Sequence, residues 1–159
     1  MKSLLCASLF SFILLYVTPI NVNAQTRQDS SASQRTGQPQ SGGFFTGGTA
    51  AVVRITTTPD LNCGAAKVTF QPGARTIWHA HAGGQIIVVT SGTAWYQEKG
   101  KPKQIFSQGE TVVCPPGVMH WHGASPDGPM THTVVTPNLD KGGVTVGPAV
   151  TAQEYIGQN

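Results

Sequence analysis

Turn-forming residues interrupt this chain so often between Ala50 and Thr136 that no helix of ordinary length fits between them. Pro59-Asp60, Pro72-Gly73, Gly83-Gly84, Ser91-Gly92, Gly100, Gln108-Gly109, Pro115-Pro116-Gly117 and Asp127-Gly128-Pro129 mark the breaks. Each works through the fixed φ of proline or the permissive φ of glycine. The intervals between them are rich in β-branched residues and read as strands: Ala50–Thr57, Cys63–Phe70, Thr76–His81, Gln85–Thr90, Thr93–Glu98, Gln104–Phe106, Glu110–Cys114 and Thr131–Thr136. Short strands at this regular spacing predict an all-β sandwich or barrel. A single helical turn is expected, at Thr151–Ile156, and no internal repeat is visible.

The first residues follow a different rule. Lys2, the apolar run Leu4 to Tyr16 and the small-residue close Val22-Asn23-Ala24 predict a secretory signal peptide over 1–24. The run is too short for a comfortable membrane span. The mature protein is therefore expected to be secreted or periplasmic, with no membrane association once the signal is removed. Residues Gln25 to Gly43 are nearly devoid of apolar side chains, so burial cannot offset the entropy of ordering them and a flexible tether is expected. Residues 44–159 form the expected single folded domain, since 159 residues with 39% hydrophobic content close one core rather than two. In an oxidising compartment Cys63 and Cys114 have two ordinary outcomes, a disulfide or buried free thiols. The formal net charge of +3 is spread over scattered basic residues with no interleaved aromatics, which excludes a nucleic-acid partner.

Chemistry concentrates in the histidines. His79 and His81 sit at i and i+2 in a strand-like segment, so their side chains share a face. Gln85 opens the next strand after Gly83-Gly84. His120 and His122 repeat the spacing just after the Pro-Pro-Gly turn, so four of the five histidines fall in two strand-borne pairs able to converge on one cavity. Trp78, Trp95 and Trp121 alternate against the histidines or lie in other strands and read as core or interface residues.

The spacing Gly73-x5-His79-x-His81-x3-Gln85-x6-Gly92, followed by Gly109-x5-Pro115-x-Gly117-x2-His120, resembles the two motifs of the cupin superfamily. Gln85 stands where Glu is more usual, and Ala124 where an Asn is customary. The resemblance implies an antiparallel jelly-roll β-barrel with a divalent metal inside, held by His79, His81, Gln85 and His120. The stretches PGARTIWHAH, GQIIVVTSGTAW, HWHGASP and MTHTVV are further similar to the small bacterial manganese cupins that act as hydroxynitrile lyases. That likeness implies that His122 and His132 line the pocket as proton-handling groups, with Thr76, Ala66 and Val68 shaping it; Thr76 is also a candidate hydrogen-bond donor to substrate. Thr136 stands where those enzymes carry Gln, which removes one polar contact.

Three imidazoles and an amide leave a divalent ion its full charge, whereas a Glu ligand would cancel half of it. Gln85 thus makes the expected site a stronger Lewis acid, one that favours small anions and polarised oxygens. Nitrogen and oxygen donors with open positions suit Mn first, and also Fe, Co, Ni or Zn. The expected function is a metal-dependent carbon–carbon lyase acting on a small molecule, with histidine as proton shuttle. A quercetinase-like dioxygenase and a non-catalytic ligand-binding protein outside the cytoplasm are the alternatives. Exposed apolar strands point to a homodimer or homotetramer.

Overall fold

The structure, a computed structural model, describes residues 39–157. The expected signal peptide over 1–24 and residues 25–38 of the expected tether lie outside the described residues. Twelve strands run through the described part: β1 (Pro39–Gly42), β2 (Phe45–Ile55), β3 (Cys63–Phe70), β4 (Arg75–Thr76), β5 (His79–His81), β6 (Gln85–Ser91), β7 (Thr93–Glu98), β8 (Gln104–Ser107), β9 (Thr111–Cys114), β10 (His120–Ala124), β11 (Met130–Pro137) and β12 (Val144–Val146). Every pairing is antiparallel. The all-β expectation holds, as a nearly closed antiparallel barrel. No helix among the described residues is long and apolar enough to cross a membrane.

One differs from expectation at its start. Residues 39–42, placed in the tether by their composition, form β1 and pair with Ala50 and Ala51 of β2. A strand edge recruits a neighbour through backbone N–H and C=O groups, so apolar side chains are not required. Gly43 and Phe44 make the two-residue turn between β1 and β2, entered through Gly42 and Gly43 with φ of 77° and 60°.

Strand order is β12-β5-β10-β4-β2-β3-β11-β6-β9, with β7 on β10 and β8 on β7. The barrel closes because β2 belongs to both halves. Its first residues pair with β4 (Phe45 with Thr76, Thr46 with Arg75), and from Ala50 it pairs with β3. The switch falls at Gly47 and Gly48, φ 72° and 154°, a bend that other residues resist. At Gly47 a Cβ would also run into the Arg75 guanidinium and the Gly73 carbonyl.

The interior is lined by alternate residues. Phe45, Ala50, Val68, Phe70, Val89 and Met130 form one buried cluster, and Ile87, Tyr96, Val112, Cys114 and Val134 another. On the outer side of β10, Trp121 is fully buried with Trp78, Val150 and Tyr155. The short helix α1 (Ala152–Ile156) packs there, its start held by a capping box between Thr151 and Glu154. The Tyr155 hydroxyl donates to the Ala124 carbonyl at 2.8 Å and the Arg75 guanidinium lies over its ring. Covering this face sends Trp121 outward and so turns His120 and His122 inward.

Cys63 and Cys114 are free. Cys63 is on β3 and Cys114 on β9, three ladder steps apart, or roughly 14 Å, beyond the reach of a disulfide.

Candidate metal centre

All five histidines of the chain are buried, four of them lining one cavity and His120 just behind its wall. Two of them are oriented by their own chain. His79 Nδ1 lies 2.9 Å from the Ile77 carbonyl and His120 Nδ1 lies 2.8 Å from the Val118 carbonyl, each two residues back. A carbonyl only accepts, so Nδ1 carries the proton in both rings and Nε2 presents a lone pair. β5 and β10 pair so that His79 and His120 stand directly opposite each other, ring centroids 4.4 Å apart.

Among the described residues, His79, His120 and His122 offer ligand atoms that all lie within 4.8 Å of one another. His81 borders them, its ring 5.2 Å from His79 and 5.9 Å from His120. Gln85 Oε1 is 3.4 Å from His120 Nε2. Since that nitrogen has no proton to give, the contact brings two acceptors together, the arrangement of two ligands aimed at one cation. His79 Nε2 and both ring nitrogens of His81, His122 and His132 are buried without a hydrogen-bond partner. So many orphaned ring nitrogens are costly in an apolar interior and fit a resident divalent ion; His79, His120 and His122 form the tight group, with Gln85 Oε1 beside His120 and His81 at its border.

Burial disfavours the charged imidazolium throughout. It holds His79 down to about 3, with His120 adding to the effect, and His81 down to about 4. It also lowers His120, places His122 well below its ordinary value with His132 and His79 contributing, and brings His132 to about 3. Near neutral pH every ring is uncharged and keeps a lone pair able to bind a metal.

The cavity encloses ≈ 440 Å³. The structure places Thr76, His79, His81, Gln85, His122 and His132 on its wall, and Ala66, Val68 and Thr136 as well. His120 sits behind them, fully buried. The Thr76 hydroxyl oxygen accepts the backbone N–H of His122 at 3.1 Å, which ties β4 to β10 and leaves the hydroxyl proton free to donate. Phe70 and Phe44 were not anticipated as site residues. Phe70 stacks on His132 at 5.3 Å, and Phe44 lies 4.8 Å from His79. The i, i+2 rule along Ala66, Val68 and Phe70 carried the signal for the first; the second sits just before β2, where no periodicity applies.

Comparison with known proteins accords with this geometry. The Cupin_2 family (cupin domain) matches residues 66–136. The chain is 43% identical over 97 residues to the (R)-mandelonitrile lyase of Granulicella tundricola, covering 61% of this chain and 73% of that one. The chain belongs to the cupin superfamily. A solved cupin-like protein from Thermotoga maritima superposes on this cupin with a TM-score of 0.71 at 42% identity, covering 76% of this chain and 91% of the other. A double-stranded β-helix domain protein from Klebsiella pneumoniae superposes at 0.57 with 19% identity, over 70% and 90%, a likeness of fold alone.

Proposed function

We propose that this cupin is a metal-dependent lyase that cleaves cyanohydrins of the mandelonitrile type, with a divalent ion, manganese first, held by His79, His81, Gln85 and His120. The observation that carries the reading is the pair His122 and His132: buried together on the side of His79, uncharged, and without partners for any of their four ring nitrogens. A site built from His79, His81, Gln85 and His120 does not need them. The identity to a mandelonitrile lyase supports the substrate class.

The ion, when bound, supplies Lewis acidity toward cyanide or a carbonyl oxygen. The residues of the chain do the rest. Phe70, Val68 and Phe44 give the aromatic ring of the substrate an apolar bed and keep water from it. The Thr76 hydroxyl donates to the substrate oxygen. A neutral ring nitrogen of His132 or His122 accepts the hydroxyl proton as the carbon–carbon bond breaks. The bonding electrons leave with cyanide, the former hydroxyl carbon becomes the aldehyde, and the histidine returns the proton to give hydrogen cyanide.

Supply of racemic mandelonitrile to the Mn-loaded protein under anaerobic conditions tests this, with benzaldehyde and cyanide as the readout. Release in the absence of oxygen is expected. Strict oxygen dependence, or no turnover, overturns the reading. The working form is a homodimer or homotetramer outside the cytoplasm. Support comes from the outer row Val113, Ile86, Val135, Ala65 and Ile55, one apolar side chain per neighbouring strand. Sedimentation and cell fractionation test these two points.

A further inference from the structure

Resting on the reading of the cavity as a substrate site, we infer that Arg54 makes it selective for substrates that carry a carboxylate remote from the reacting carbon. Arg54 lines the cavity and is solvent-exposed, at the mouth. Its placement follows from register. Val52 pairs with Val68 and Val68 with His132, giving one inward row across three strands; Arg54 pairs with Ala66 and Ala66 with Val134, giving the next inward row toward the opening. An arginine on the inner face of a barrel is not an ordinary surface charge.

Two further observations fix the chemistry. The only ion pair among the described residues is Lys101 with Glu98, so Arg54 has no counter-ion among them. Among the described residues no Asp, Glu or Lys lines the cavity, so Arg54 is the one formally charged side chain they place on its wall. Fields in a low-dielectric cleft of one sign draw ligands of the other. Two strand spacings and one i, i+2 step separate the Arg54 and His132 Cα atoms, on the order of 12 Å. A small substrate with its reacting group at the histidines then presents a carboxylate set away from the reacting carbon to the mouth. The planar guanidinium then takes the carboxylate through paired N–H donors.

Calorimetry of the metal-loaded protein with 4-formylbenzoate and its neutral methyl ester tests the inference. The acid is expected to bind about tenfold tighter than the ester, as a charge-assisted pair at a partly wet site gives. Arg54→Gln is expected to abolish that preference without changing ester affinity or metal content, and Arg54→Lys to keep part of it. Persistence of the preference in Arg54→Gln overturns the inference. So does equal binding of acid and ester by the unmodified protein, although ester binding leaves the cavity reading intact. If neither probe binds, both readings fall.

Discussion

The rings of His122 and His132 meet edge to face, centroids 4.9 Å apart and planes at 90°, although the two residues come from different strands. Phe70 stacks flat on His132 and meets His122 edge on, so the pair is fixed from its far side and its nitrogens are left to the cavity.

His132→Ala is expected to lower mandelonitrile cleavage by about 10²-fold or more, the range for loss of a general base. Its content of bound metal stays that of the unmodified protein. Steady-state assays paired with elemental analysis check both halves. Full activity in the variant would remove His132 from the mechanism.

Ligand identity separates cleanly between two neighbours. His79→Ala, His81→Ala and Gln85→Ala are expected to lose most of the bound ion, while His122→Ala retains it and loses turnover. Equilibrium dialysis against Mn followed by elemental analysis decides the matter. Loss of the ion in His122→Ala with retention in His81→Ala would make the triad of His79, His120 and His122 the ligand set.

Acid should unfold the metal-free protein early. His79 and His132 are held near 3 and His81 near 4 when folded, against an ordinary 6.5. As pH falls below about 6.5 the unfolded chain takes up protons that the folded one refuses. The stabilisation is therefore complete above that value and is lost on the way down to about 4 and then 3. Thermal melts of chelator-treated protein are expected to be level between pH 7 and 8 and to fall steadily below 6.5. A midpoint unchanged down to pH 4.5 would contradict the buried, neutral state of these rings.

At Gly123 the backbones of β10 and β4 approach so closely that a Cβ would meet the Ala74 carbonyl and Arg75. Gly123→Ala is expected to destabilise the fold by about 1–3 kcal/mol through overpacking, seen as a lower urea midpoint. Because His122 is the preceding residue, the same change is expected to weaken metal-supported turnover.

The order of strands was legible where turns bracketed β-branched runs. Cys63–Phe70 and Thr93–Glu98 appear with the expected bounds as β3 and β7, and Thr151 caps the helical turn. Thr76–His81 instead divides into β4 and β5. Between them Ile77 N–H bonds to the Phe44 carbonyl and Trp78 N–H to that of Pro148, partners far away in sequence. β12 was missed because its three exposed residues, Val144 to Val146, sit among glycines and owe their strand form to the edge of β5. Site residues on regular strands were readable by parity, and the ladder that brings His132 beside His122 was not.

The Ile77 and Val118 carbonyls that set His79 and His120 lie only two positions upstream of the rings they hold. Each ring's Nδ1 is thus held by a hydrogen bond within its own tripeptide. Segments Ile77-Trp78-His79 and Val118-Met119-His120 are portable parts, and moving them into the matching strands of another small barrel should transfer the aim of both lone pairs with them.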